Sequence, residues 1–319
     1  MTGASGCVGR AVISAGLRSG WSVRGFARSE RPRWWPKEVP YIRGSVEDVE
    51  SVVAAVGRAD AVVHLAAPAH ATERARQAVA ARHRVTVEGT ANVARAARIS
   101  GARLVLMSSI AVYGNPPSPT VDQNTRPHPT NAYGIAKLEA EERCGAEVPR
   151  AVVLRCSVIY GPGDRGNVGK LIRAVDRGRA FVVGDGRNRK SLLSSHNLAD
   201  RILLALANQL EGTWCVADSP APSQRELLDE IARALGRPAP RSLPLALAQA
   251  GARAVDSLAR LGGRSGGWDS TIKTLSSWSV VDGSALDVRL GYGDATQLRD
   301  GLASTIAWMR SESIIPPRP

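Results

Sequence analysis

The chain has 319 residues, 44% hydrophobic and 22% charged, enough for one large or two modest domains with an ample core. No stretch approaches the roughly 18 consecutive apolar residues of a membrane span, so neither a spanning α-helix nor a membrane partner is expected. The net charge of +13 is nearly all arginine, scattered without a basic block or interleaved aromatics. That argues against nucleic acid and favours a small anionic ligand.

The first informative element is Thr2-Gly-Ala-Ser-Gly-Cys-Val-Gly9, a spacing variant of the dinucleotide fingerprint that lets backbone approach a diphosphate. Taken alone it reads equally well as an ordinary strand–turn–helix contact. In chain order the patterns then predict a helix over 9–17, a strand over 21–27, a short helix over 52–56 and a buried strand over 61–66. A long helix follows over 75–99 and a strand over 103–108. Next come a Pro-rich loop over 115–129, a helix over 133–144 and a strand over 151–155. Strands alternating with helices give the α/β class, a doubly wound parallel Rossmann sheet. Ligands in such sheets lie at the carboxyl ends of the strands, where Gly3, His64, Ser108 and Ser109 fall. Only Met1 precedes the glycine turn, so the first, central strand is expected to be missing. A late start, with roughly four to ten strand residues absent, is the expectation.

Tyr133-Gly-Ile-Ala-Lys137 sets a phenol and an ammonium at i and i+4, one turn apart on one helix face. A phenol beside a fixed cation has a stabilised phenolate and can exchange a proton with a hydroxyl or carbonyl. The plain alternative is an exposed Tyr and a solvated Lys. Joined to the glycine turn, the pair equips the chain for hydride transfer at an alcohol carbon. The four cysteines, Cys7, Cys144, Cys156 and Cys215, form no CxxC pair and no metal spacing. They read as reduced thiols of a cytoplasmic protein without a metal.

Beyond residue 160 glycine, proline and arginine become frequent, and helices mix with short strands. Ser223 and Glu226 form a capping box opening a helix over 223–235, 262–267 reads as a loop, and Trp308 lies on a final amphipathic helix. Residues 1–162 are expected to form the dinucleotide-binding domain. Residues 163–319 then form a smaller, mixed α/β substrate domain, with about 191–210 returning to pack on the first.

Further motifs run through the chain: His64-Leu-Ala-Ala67, Val87-Glu-Gly-Thr90, Ser108-Ser-Ile-Ala-Val-Tyr-Gly114, Leu154-Arg-Cys-Ser-Val-Ile-Tyr-Gly-Pro-Gly163 and Asn197-Leu-Ala-Asp200. With the glycine turn and the Tyr/Lys pair, the chain resembles the extended short-chain dehydrogenase/reductases, NAD(P)-dependent epimerase/dehydratase family. It is most similar to their nucleotide-sugar 4-epimerases and 4-keto reductases. The resemblance implies that Gly3, Ser5, Gly6, Cys7, Val8 and Gly9 hold the cofactor diphosphate at a helix N-terminus. It implies further cofactor contacts from Ser45 and Val46 near the adenine, and from Leu65, Ala66, Ala67 and Ser108. Tyr133 is implied as the catalytic acid/base. Lys137 would bind the nicotinamide ribose and hold the phenol pKa down. Ser109 would hydrogen-bond the reacting oxygen, with Ser108 the competing assignment.

Departures from the family pattern refine this. The second strand ends in Phe26-Ala-Arg-Ser29 with no carboxylate for a ribose 2′-hydroxyl. Arg28 could accept a 2′-phosphate instead, so NADP is favoured over NAD; an ordinary exposed arginine is the alternative. Thr86 replaces a family asparagine. Ser109-Ile-Ala111 lacks the acid that water elimination needs, so dehydration is not expected. On the substrate side Asn167 would meet a phosphate, and Arg189 or Lys190 a diphosphate. The expected partner is a nucleotide sugar, the expected assembly a homodimer. Two other readings stay open: an NADP-dependent reductase of a non-nucleotide carbonyl or hydroxysteroid-like substrate, and a non-catalytic dinucleotide-binding protein.

Overall fold

The computed structural model describes residues 1–68, 76–116, 118–261, 267, 269, 272, 276–293 and 295–317; of the loop expected at 262–267, only Gly267 is among them. The first half alternates as expected: α1 (Cys7–Arg18), β1 (Gly25–Ala27), β2 (Tyr41–Arg43), α2 (Val49–Val56), β3 (Ala61–His64), α3 (Arg76–Ser100) and β4 (Arg103–Ser109). A 3-10 turn (Ile110–Tyr113), β5 (Thr120–Val121), α4 (Ala132–Glu147) and β6 (Val152–Cys156) complete it.

The main sheet is parallel, with β10 (Gly212–Val216), β6, β4 and β3 adjacent in that order, and β1 paired with β2. Met1 and Thr2 stand between β3 and β1. Thr2 N donates to Val63 O (3.0 Å) and Leu65 N to Thr2 O (3.3 Å) on one side, while Phe26 N donates to Met1 O (2.8 Å) on the other. The central position, expected to be empty, is thus bridged on both sides by two residues where a full strand normally runs. The expected strand over 21–27 is correspondingly short. Only 25–27 pair with β2, at 41–43, and of the four residues before them Arg24 O accepts from the Met1 ammonium (2.9 Å).

Alternation along β4 sorts its side chains into two layers. Leu104 and Leu106 pack with Val93, Ala97, Cys144 and Val153 under α3 and α4. Val105 faces Val8, Val12, Leu198 and Ile202 beneath α1 and α6 (Ser195–Ala207). A separate core gathers Tyr160 of β7 (Val158–Tyr160) with Val168 and Ile172 of α5 (Asn167–Asp176) and Leu228 and Ile231 of α7 (Gln224–Leu235). Leu302 and Ile306 of the closing helix Leu298–Ser311 complete it. Short parallel pairs, β7 with β9 (Leu192–Ser194) and β8 (Val182–Val183) with β11 (Ser242–Leu243), tie this lobe together, while β5 pairs with β12 (Val280–Val281) in a further core with Val112, Tyr113 and Cys215. Arg201 of α6, 2% exposed on its side chain, is forked onto Asp287 (2.7 and 2.9 Å) and bonded to Asp218 (3.1 Å). It holds the helix Ser284–Leu290 against the end of β10.

Candidate active site

Two of the three motif glycines are dictated by packing. Gly3 sits at φ +65°, and a Cβ there would lie 2.6 Å from Ala66 N; one at Gly9 would lie 2.3 Å from Ala4 O. Gly6 is different. A Cβ there would meet only Gly3 O, at 3.4 Å, and the residue is exposed. Gly6 caps α1 without a side-chain bond, so the first-turn N–H groups of Cys7, Val8 and Gly9 are left for an anion. Open backbone at a helix N-terminus fits a dinucleotide diphosphate.

A buried polar chain fixes the turn. Thr90 Oγ1 donates to Thr86 O, so His64 Nε2 donates to Thr90 Oγ1 (3.0 Å) and His64 Nδ1 accepts from Thr2 Oγ1 (2.6 Å). Thr2 Oγ1 in turn accepts from Ala66 N (3.3 Å), which sets Leu65, Ala66 and Ala67 against Gly3. Burial, helped by the Lys137 charge, pushes the His64 pKa down to about 3, so the ring is a neutral strut. Ser29 Oγ donates to Ser5 Oγ (2.9 Å), placing the exposed Arg28 beside the glycine turn. The nearby Glu30 is turned to Arg43 at 3.8 Å. Val46 is buried, its carbonyl accepting from Asn92 Nδ2 (3.0 Å), while Ser45 Oγ accepts from Glu47 N (3.2 Å) in a local turn.

Asn131 caps α4 by accepting from Gly134 N (2.9 Å). A Cβ at Gly134 would stand 2.3 Å from Ala111 O, so this helix start lies directly on the turn after β4. The approach brings the Tyr133 phenol close enough to the Ser109 hydroxyl for the two to influence each other, while Ser109 Oγ accepts from Ala111 N (3.2 Å). Ser108, the preceding strand residue, faces the other way and donates to the Glu141 carboxylate. Ser109 therefore meets the phenol; Ser108, read from sequence as a cofactor contact, is spent on Glu141. Lys137 is 4% exposed and donates to Met107 O (2.9 Å).

The electrostatics differ in sign from the sequence expectation. Desolvation of its hydroxyl end pushes the phenol of the half-exposed Tyr133 above its ordinary value, and the nearby Ser109 hydroxyl offsets this only in part. Lys137 does not hold it down. Instead burial pushes Lys137 itself down to about 8, against the opposing pull of Cys156 and Glu141. Between that value and the ordinary 10.5 the unfolded chain holds a proton the folded chain has lost. Stability then rises with pH across this window, and below about 8 the full cost of the buried cation is present. Lys137→Met is expected to be more stable than the parent at pH 7, by ~2 kcal/mol, with the gain shrinking toward pH 10. Denaturant titrations at the two pH values measure this; a gain constant with pH contradicts it.

Behind the pair lies a cluster that motif reading passed over. Arg155 of β6 forks onto Glu141 of α4 (2.7 to 3.2 Å) and donates to Tyr113 Oη (3.1 Å), which donates to Asp122 O (2.8 Å). Cys156 also lies close enough to influence both Tyr133 and Lys137. Two signals were available: Glu141 is the next i+4 position after Lys137, and Arg155 is a charge inside an otherwise apolar strand.

The expected substrate residues lie in the other lobe. Asn167 opens α5 and is exposed. Arg189 is turned away from an open role: it donates to Ala221 O (2.6 Å) and to Glu226 Oε2 (3.3 Å), the acid of the α7 capping box. Lys190 Nζ donates to Ser277 Oγ (3.2 Å). Among the described residues no cluster of His, Cys, Asp and Glu could hold a metal ion, and no helix is long and apolar enough to cross a membrane.

A model of the NAD dependent epimerase/dehydratase family matches residues 1–216. The chain is 30% identical over 275 residues to the N-acetyl-alpha-D-glucosaminyl-diphospho-ditrans,octacis-undecaprenol 4-epimerase of Escherichia coli O157:H7, covering 83% of this chain and 80% of that protein. It is 31% identical over 254 residues to the 2-alkyl-3-oxoalkanoate reductase of Stenotrophomonas maltophilia (strain K279a), covering 75% and 76%. The UDP-glucose 4-epimerase of Thermus thermophilus, solved with NAD, superposes with a TM-score of 0.75 at 23% identity over 97% of both chains. WbmH of Bordetella bronchiseptica, solved with NAD+, does so with 0.78 at 21% identity, also over 97% of both. At such identities the two structures carry the shared fold.

Proposed function

Because the chain belongs to the NAD dependent epimerase/dehydratase family, we propose that it is an NAD(P)-dependent enzyme acting by hydride transfer at C4 of a nucleotide-linked sugar. It either inverts C4 through a transient ketone or reduces a 4-keto sugar. One observation carries the reading: Ser109, the Tyr133 phenol near it and the buried Lys137 lie on the same strand-end side of the parallel sheet as the uncapped start of α1. Bound there, a nicotinamide supplies the hydride acceptor and donor. The first-turn N–H groups of α1 bind the diphosphate. Tyr133 Oη moves a proton to or from the C4 oxygen, and Ser109 Oγ hydrogen-bonds that same oxygen. With its pKa raised, the phenol carries its proton at neutral pH and is set to donate to a carbonyl oxygen. Ile110 and Ala111 follow Ser109 where dehydration would need an acid.

Asn167 and Lys190 are the residues we assign to the substrate phosphates, with Arg189 joining only by leaving Glu226. A diphosphate is the handle common to nucleotide sugars and to the undecaprenol-linked sugar named for the E. coli relative. We take the enzyme to be a cytoplasmic homodimer. Incubation with UDP- and dTDP-sugars, followed by product identification, tests the reading. A C4 epimer or a reduced 4-keto sugar is expected. Reduction of 2-alkyl-3-oxo acids without turnover of any nucleotide sugar favours the second reading, a carbonyl reductase like the Stenotrophomonas relative.

Arg28 gives the cofactor preference. An exposed guanidinium at the end of β1, with Glu30 held by Arg43, favours a ribose 2′-phosphate and so NADP(H). Arg28→Ala is expected to weaken NADP(H) about tenfold relative to NAD(H), on the scale of one charged hydrogen bond. Equal loss for both cofactors, or none, makes Arg28 an ordinary surface residue.

A further inference from the structure

The helix α8 (Leu245–Leu261) shows water the side a helix ordinarily hides. Ala248, Ala252 and Asp256, at i, i+4 and i+8, are its buried stripe, and the Asp256 carboxylate accepts from Gly267 N (2.8 Å) and Asp269 N (3.0 Å). Leu247, Ala250 and Ala254 follow one another on the outward side, and all three are exposed. Leu247 is 62% exposed and Val255 47%, against the usual pattern in which the solvent face of a surface helix is charged. The helix carries no carboxylate besides the buried Asp256.

Arginines lie on this helix and by the β8–β11 pair that leads into it. Arg253 lies on the helix and is two-thirds exposed, at 3.5 Å from Asp269. Arg241 immediately precedes β11, where its carbonyl accepts from Val182 N (3.0 Å); the neighbouring Phe181 is half exposed. Arg179 and Arg241 are exposed and have no ion pair among the described residues. The patch also borders the segment assigned to the substrate diphosphate: a Cβ at Gly184 would lie 3.9 Å from Leu245 Cβ.

We propose that α8, with Phe181 and the arginines around it, is a docking surface for an anionic lipid bilayer, on which the protein rests without spanning it. An exposed apolar stripe flanked by arginines is the composition of a helix lying in the headgroup region. A second copy is the weaker occupant, because two copies meeting on this face would bring Arg179, Arg241 and Arg253 against their like. The inference goes beyond the catalytic reading and does not depend on it. Docking would hold residues 184–190 at headgroup level.

Vesicle flotation of the full-length chain tests it without any turnover. Vesicles of phosphatidylcholine with phosphatidylglycerol are expected to carry the protein at least about tenfold better than phosphatidylcholine alone, and added salt should reduce the difference. Leu247→Glu with Val255→Glu should abolish flotation while thermal midpoint and dinucleotide binding stay at parental values. Arg179→Ala with Arg241→Ala should remove the preference for the anionic lipid. The proposal is overturned if the parent does not float with anionic vesicles, or if the double glutamate variant floats equally well. It is also overturned if light scattering shows a dimer that the double variant dissolves while the parent binds no vesicle; the face then belongs to a second copy.

Discussion

Tyr133→Phe is expected to lower kcat by about 10²–10⁴-fold while leaving dinucleotide affinity unchanged, the usual range for removing a positioned acid–base group. The expected loss rests on where the hydroxyl lies. It is the end of a side chain in the first turn of α4, held over the turn after β4 by the close approach of Gly134 to Ala111, and near the Ser109 hydroxyl. Phenylalanine keeps the ring and removes the hydroxyl that carries the proton. The residue is 48% exposed, so the change opens no cavity and folding should be unaffected. Ser109→Ala should cost less, because it removes one hydrogen bond to the reacting oxygen and leaves the proton donor in place. The pH profile separates the two roles. Burial puts the phenol above its ordinary range, so the Tyr-dependent limb of the rate should lie on the alkaline side in the parent and vanish with Tyr133→Phe. Turnover of Tyr133→Phe within a few-fold of the parent would remove the assigned mechanism.

What the sequence revealed of this site, and what it hid, follows from range. The glycine turn and the Tyr133/Lys137 pair are local spacings, and local spacing survives folding: one becomes an uncapped helix start, the other two successive turns of α4. The alternating pattern likewise gave the parallel sheet, since a strand buried on both faces must be apolar throughout. The length of β1 was not legible, because a strand extends only as far as its neighbours supply ladder partners, and here they supply three residues. Nor was the separation of Ser108 from Ser109, which strand alternation turns to opposite faces, Ser108 toward the Glu141 carboxylate. The capping box of Ser223 and Glu226 was visible as a pattern, but its arginine was not: Arg189 is 37 residues from Glu226 and finds it in space. The sign of the Tyr133 shift failed for a related reason. Sequence shows that a cation is one turn away, but not that Lys137 is buried or that the hydroxyl of the half-exposed Tyr133 is desolvated, and here desolvation leads.

The largest expected effect on stability comes from the cluster behind the active site. Arg155→Met should destabilise the fold by about 3–5 kcal/mol, the range for breaking a buried ion pair from one side. Both partners are enclosed, with side chains 9% and 8% exposed for Arg155 and Glu141. Burial works against the Arg155 charge, and the Glu141 bonds more than restore it, so the net shift is upward. Methionine fills a similar volume but leaves the Glu141 carboxylate with the Ser108 hydroxyl as its remaining side-chain donor. An uncompensated carboxylate then sits between β4, α4 and β6, the three elements that carry Ser109, Tyr133 and Cys156. Adding Glu141→Leu should return most of the lost stability, because the cost lies in the orphaned charge and not in the missing attraction. A double-mutant cycle read by denaturant unfolding decides between the two accounts. If the double variant is as unstable as Arg155→Met, the pair contributes real binding energy between strand and helix, and the isolated charge is not the cause. If it recovers, the cluster's value to the enzyme lies in positioning. Ser108 is then held away from the phenol, and turnover below the unfolding temperature should fall in the double variant even though its fold is sound.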